Sequence, residues 1–379
     1  MEFTAYAAFI FLGASATVNG VALPFLIEQF SLPLSTAGSL FMLHSFGYLV
    51  ASTFYPSAAK VTGNRLLLVL ASLAMTATHL GLPLMPYWWA VILAAFLNGN
   101  ASSTIDVGLN AAVAGIPGER GTAALNWLHF AFGVGALISP FVWAQAINWQ
   151  GAWQWAYWFC AVPFLPLAVA FAKSALLRGD APDEAPPSHE KASANIYREG
   201  QFWLLVALMT IYCGIEVALM GWTTTYLTAE FGLPVDTASV GVSLMWLGLA
   251  VGRGICGKFS SLFEPRGTLL VLFPATAVVL AATAALQSPW LALASFFAAG
   301  LGLSAIFPML MLNGTQANPY ARVQVSGGLV TAAGFGALVF PWILGYVAEF
   351  VNLRWGILLL AGMSLAAGIA TVRLPKPQM

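Results

Sequence analysis

"FSLPLSTA" at Phe30–Ala37 and "FGLPVDTA" at Phe231–Ala238 are nearly one phrase written twice, 201 residues apart. The same offset carries "GVGALISP" at Gly133–Pro140 onto "GFGALVFP" at Gly334–Pro341, Gly20 onto Gly221 and Gly99 onto Gly300. One offset shared by separate stretches of an apolar, low-complexity sequence points to an internal duplication. The 379 residues therefore read as two related halves. Between them lies the longest hydrophilic stretch, "KSALLRGDAPDEAPPSHEKASANIYREG" at 173–200, which mixes both charge signs with three prolines. The predicted organisation is a bundle over 1–173, a linker over 174–199 and a second bundle over 200–379.

The halves are built from membrane-spanning material. Hydrophobic residues make up 60% of the chain and charged ones 7%, against about a quarter charged in soluble domains. With a mean hydropathy of +0.83, the chain has too few charges to cover a water-facing surface. Twelve apolar stretches are each long enough to cross a hydrocarbon core of about 30 Å as a helix. They are predicted near 4–27, 36–56, 66–84, 88–116, 123–146, 153–173, 201–229, 236–260, 268–286, 289–313, 323–348 and 355–372. The fold class is thus an all-α membrane protein, with twelve transmembrane helices in two pseudo-symmetric six-helix bundles. The first stretch lacks a basic leader and runs on into another span, so it reads as a span rather than a signal peptide.

Loop charge sets the expected orientation. With the N-terminus inside, thirteen cations fall on the inner side: Lys60, Arg65, Arg120, Lys173, Arg178, Lys191, Arg198, Arg253, Lys258, Arg266, Arg322, Arg373 and Lys376. Only Arg354 falls outside. That asymmetry predicts both termini in the cytoplasm and, for a bacterial chain, residence in the inner membrane.

Other function classes find little support. No G-x-x-x-x-G-K-[ST] loop is present for ATP, so neither ATP-driven work nor enzyme activity is expected. The four histidines lack metal-ligand spacing, and Cys160, Cys213 and Cys256 all lie in predicted spans as packing residues, so no metal or cofactor is expected. A net charge of zero leaves no footprint for nucleic acid.

Two acids stand well inside spans, where even a lenient scale charges about 2.5–3.5 kcal/mol for a central Asp. Asn98, Ser102, Asp106 and Asn110 recur every four residues in span four and are predicted to line one face. A hydrogen bond between helices needs only Asn or Ser, whereas a carboxyl adds a proton-exchanging group. Asp106 is therefore the principal candidate for proton coupling. Glu216 in span seven, four residues after Tyr212, has no basic residue predicted at its depth and is a candidate for coupling or solute contact. His129 in span five is a third coupling candidate, one helix from Asp106. It shares a face with Asn126 and precedes Gly133, predicted to allow close helix approach. Asn19, His44, Asn110, Asn126, Trp127, Tyr212, Glu216 and Trp222 are candidate solute contacts, the two tryptophans as surfaces for a sugar ring.

Twelve helices, two matching halves, a central inner loop and inner termini resemble the major facilitator superfamily. The superfamily motif G-x-x-x-D-x-x-G-R-[KR] is replaced here by "PSAAKVTGNR" at 56–65, which keeps Gly63 and Arg65 but has Lys60 in the acid's place. Within the superfamily, "IDVGLNAAVAG", "LNWLHFAFGVGA" and "YCGIEVALMGWTTTYL" resemble the fucose/proton symporter family and related glucose carriers. The resemblance maps the family's span-four acid onto Asp106 and the following Asn onto Asn110. It maps the span-five positions onto Asn126, Phe132 and Gly133, and the span-seven positions onto Tyr212, Gly214 and Glu216. The fucose symporter's second acid, in span one, is missing; Asn19-Gly20 stands there before Pro24.

The expectation is a monomeric secondary active transporter that carries a sugar or similar small polar solute with protons by alternating access. The architecture implies a solute site at mid-membrane between the halves. A proton-coupled exporter of drugs or metabolites in the same fold fits the same features. Sodium fits as the coupling ion too, since a carboxylate with nearby Asn and Ser oxygens can hold it.

Overall fold

The computed structural model describes residues 2–114, 116, 119–174, 196–258 and 264–375. Among them there is no strand, and twelve helices are long and apolar enough to cross a membrane. These spans are Phe3–Phe30, Leu34–Thr62, Asn64–Leu84, Trp88–Ala114, Ala123–Gln150, Gln154–Lys173, Gly200–Phe231, Val235–Lys258, Pro265–Ala285, Pro289–Ala317, Arg322–Phe350 and Leu353–Thr371. Most of the predicted linker, with Arg178, Lys191 and Lys376, lies outside the described residues.

Span ends follow local chemistry. Gly63 adopts φ 76 between spans two and three, and Gly232 adopts φ 67 at the end of span seven, left-handed positions where glycine costs least. Span nine begins three residues before its predicted start. The Glu264 carboxylate accepts the N–H groups of Arg266, at 2.9 Å, and Gly267, and Pro265 fills the first helical position. The Asn352 side chain caps span twelve in the same way through the Trp355 N–H at 3.0 Å.

Among the described residues three spans are interrupted, span two at Gly38 between Ala37 and Ser39. Span six breaks between Ala161 and Phe164, and span ten between Leu303 and Ile306. Pro308 explains the break in span ten. Proline has no N–H, so the Ser304 carbonyl four residues earlier loses its helical donor, and the ring crowds that same oxygen.

The chain divides into two compact units, one of Met1–Leu32 with Ser39–Ala185, the other of Pro33–Gly38 with Pro186–Met379. In the first unit, span one packs along span five, two along four, and three along six. In the second, seven packs along eleven, eight along ten, and nine along twelve. The closest crossings are built from glycine. A Cβ at Gly13 would strike the Phe132 carbonyl, and one at Gly135 the Ile10 carbonyl. Gly47 lies likewise against Phe96, and Gly99 against His44. In the second unit Gly336 abuts Thr210, Gly248 abuts Phe297 and Gly300 abuts Met245, while Phe340 covers Gly214 with its ring. The offset of 201 carries Gly13, Gly47, Gly99 and Gly135 onto Gly214, Gly248, Gly300 and Gly336. The duplication thus extends to the contacts that fix helix spacing.

One expectation fails here. Gly133 makes no close approach, since a Cβ there would have nothing within 4 Å. Gly135 is the contact residue. Two helical positions turn the backbone by about 200°, so Gly133 faces away from span one.

Candidate functional site

Among the described residues each unit holds one acid well away from the ends of a span, in a different setting. In the first unit Asp106 sits eight residues from the end of its helix, about 12 Å along the axis. Asn110, one turn on, donates its amide to Asp106 Oδ1 at 2.6 Å and to the Asp106 carbonyl at 3.0 Å. Tyr48 of span two donates its hydroxyl to Asp106 Oδ2. Both donors are neutral, and His129 lies within electrostatic reach. The carboxylate is therefore kept inside the bundle by hydrogen bonds rather than by an ion pair.

The seam between spans two and four places Tyr48. Gly47 and Gly99 bring the helices together backbone to backbone. His44 and Tyr48, one turn apart on span two, then meet Asn98 and Asp106 on span four. Tyr48 is a partner that Asp106 needs and that spacing along one helix does not reveal.

The predicted polar face of span four divides between two neighbourhoods. Asn98 turns away from Asp106 and donates to Thr78 Oγ1 of span three at 2.9 Å. Beside it His79 is 2% exposed. Its Nδ1 lies 2.7 Å from the Met75 carbonyl. A carbonyl only accepts, so Nδ1 carries the proton and Nε2 accepts from Ser15 Oγ at 3.0 Å. Cys160 is bonded to the same serine, and the Phe164 ring stacks on the imidazole at 5.8 Å. Buried Asn19 accepts from the Tyr157 hydroxyl at 2.8 Å. Together these residues hold spans one, three, four and six in register. On span five Asn126, Trp127 and His129 are exposed. Trp127 stands edge-on to Phe130, and His129 edge-on to Phe9 with ring centroids 5.9 Å apart.

In the second unit the expectation that Glu216 lacks a basic neighbour is overturned. Arg253 lies within span eight, as its predicted bounds allow, and its Nη2 lies 4.0 Å from Glu216 Oε1. Arg253 Nε donates to the Ser304 carbonyl at 3.2 Å, the oxygen that Pro308 deprives of its helical donor. The Tyr212 hydroxyl is buried beside the pair, within electrostatic range of both. Trp222 is wholly buried, its indole N–H donated to the Pro341 carbonyl at 2.9 Å.

A second arginine, Arg354, binds very differently. Its Nε contacts Glu230 Oε2 at 2.8 Å, and its Nη1 donates to the Ala284 and Leu286 carbonyls at 3.1 and 3.0 Å. It joins the ends of spans seven, nine and twelve. One apolar groove opens on each unit, lined by Phe11, Trp143 and Trp149 in the first and by Phe202, Trp203 and Phe335 in the second. Neither lining includes Asp106 or Glu216.

Comparison with other proteins agrees with this architecture. A solved D-xylose-proton symporter superposes with a TM-score of 0.80 over 100% of this chain and 98% of its own, at 12% identity. The glucose/mannose transporter GlcP of Bacillus subtilis is 24% identical over 90% of this chain and 86% of its own length. The human sodium-dependent glucose transporter 1 is also 24% identical, over 70% of this chain and 57% of its own length. The pattern of the Major Facilitator Superfamily runs through residues 5–327, and the chain belongs to that superfamily of membrane transporters, which are not enzymes.

Proposed function

We propose that this chain is a secondary active transporter for a neutral sugar, taken up together with a proton by alternating access of its two halves. The names of the relatives support the sugar class and favour it over an exporter. Proton coupling rests on one observation. Asp106 is held by two neutral donors, Tyr48 and Asn110, so it can gain or lose a proton without breaking a resident ion pair. A protonated carboxyl needs far less solvation than a charged one, which makes the loaded state the cheaper one to enclose. Glu216 and Tyr212 contact the solute from the second half. The thirteen-to-one distribution of cations supports cytoplasmic termini and a bacterial inner-membrane location.

Proteoliposomes test the reading. The protein should exchange labelled D-glucose or D-mannose in counterflow and accumulate it under an inward proton gradient. One pH unit supplies about 1.4 kcal/mol, enough for roughly tenfold accumulation at one proton per sugar. Asp106→Asn should retain counterflow and lose accumulation, and replacing sodium by potassium should change neither. Unaltered proton-driven accumulation in Asp106→Asn refutes the role of Asp106. Accumulation that follows sodium instead refutes proton coupling.

A further inference from the structure

The two arginine–glutamate pairs of the second unit differ in a way that packing alone does not explain. Arg354 and Glu230 close to 2.8 Å, an ordinary charge-assisted contact. Arg253 and Glu216 stop at 4.0 Å, beyond hydrogen-bond range. What holds them apart is visible. The Arg253 guanidinium is tied back by Nε to the orphaned Ser304 carbonyl. The Arg253 side chain is 44% exposed and that of Glu216 15%, so the pair is not sealed within the core. The Tyr212 hydroxyl, on a residue with 0% exposure, lies within reach of both Glu216 and Arg253 and has no other partner among the described residues.

We infer that Arg253, Glu216 and Tyr212 form a hydroxyl-reading subsite, with the Arg253–Glu216 gap filled by one hydroxyl of the solute. The inference rests on the sugar-transport reading above and names the group that selects within it. A hydroxyl accepts from the guanidinium and donates to the carboxylate at once, so it satisfies both sides of the pair. An oxygen at ordinary hydrogen-bond length from each, about 2.7–2.9 Å, fits across such a gap. A sugar acid brings a carboxylate against Glu216, and an amino sugar brings an ammonium against Arg253. The pair thus acts as a charge filter that admits neutral sugars and rejects both charged kinds.

The test is competition against labelled D-glucose counterflow, with D-glucose, D-glucuronate and D-glucosamine as competitors. In the wild type only D-glucose should compete. Glu216→Gln should gain about tenfold or more in sensitivity to D-glucuronate and none to D-glucosamine. Arg253→Gln should show the reverse. Should Arg253→Gln fail to fold, Arg253→Lys keeps the charge and loses the planar anchor. It should weaken D-glucose competition about tenfold while still rejecting D-glucosamine. Wild-type sugar counterflow with selectivity unmoved in the variants overturns the subsite alone. Absence of any sugar counterflow in the wild type overturns the functional reading and the subsite with it.

Discussion

Gly99→Ala adds a single methyl group at the crossing of spans two and four. The new Cβ would strike the His44 carbonyl oxygen and lie 2.7 Å from its carbon and 3.1 Å from its Cα. These are backbone atoms, and no side-chain rotation relieves them. Carbon–oxygen contacts in helix pairs settle at about 3.3 Å or more, so the two helices must part by roughly an ångström. Overpacking of this kind costs about 1–3 kcal/mol, partly offset by the gain of about 1 kcal/mol from replacing a helical glycine. The same separation stretches the Tyr48–Asp106 and His44–Asn98 bonds, worth about 1–3 kcal/mol apiece when one partner is charged and less otherwise. The expected net loss is about 3 kcal/mol, a fall in melting temperature on the order of 4 °C for a chain of this length. Reaction of the buried Cys160 thiol with a fluorogenic maleimide during a thermal ramp reads it out. Gly133→Ala is the internal control, with nothing near the new methyl. It should melt at or slightly above the wild type and keep its transport, while Gly99→Ala loses proton-driven accumulation with its stability. Equal melting temperatures for the two variants would refute the reasoning.

Arg354→Met removes the Glu230 contact and leaves the Ala284 and Leu286 carbonyls without their donor. A loss of about 2–3 kcal/mol is expected, only partly recovered in Arg354→Lys, whose ammonium lacks the planar fork. The readout is again the melting temperature, and an unchanged value speaks against a structural role. Pro308→Ala restores the N–H that the Ser304 carbonyl lacks, so the helix competes with Arg253 for that oxygen. Arg253 should then close on Glu216, and the apparent KM for D-glucose should rise about tenfold at unchanged protein stability. A KM that stays put would show that the carbonyl does not position the arginine.

Much of this architecture was legible in the sequence because hydropathy adds up over twenty residues. No single side chain decides a span, and errors stay at the ends, where caps such as Glu264 and Asn352 set the boundary. The Asp106–Asn110 bond was readable too, being one turn of one helix. Tyr48 was not, since its bond to Asp106 depends on which helices cross and at what height. Arg253 was misread for a definable reason. Counting cations by side assigns an arginine near a helix end to the inner surface, while its long side chain reaches back into the bundle. The clue was in span ten, where Pro308 leaves a carbonyl in search of a donor. Gly133 misled because it lies in a repeated G-x-G, where both glycines recur at the offset of 201 and only the second meets the neighbouring helix.

The four duplicated glycine crossings also limit how this molecule moves. Main chain resting on main chain has no rotamers to exchange, so a helix pair joined that way can pivot at its contact but has no second resting position one notch along. Each half is therefore pinned at those crossings like scissors at the rivet. Freedom to rearrange is left where the main chain is already open, and the interrupted second, sixth and tenth spans are where this sequence keeps it.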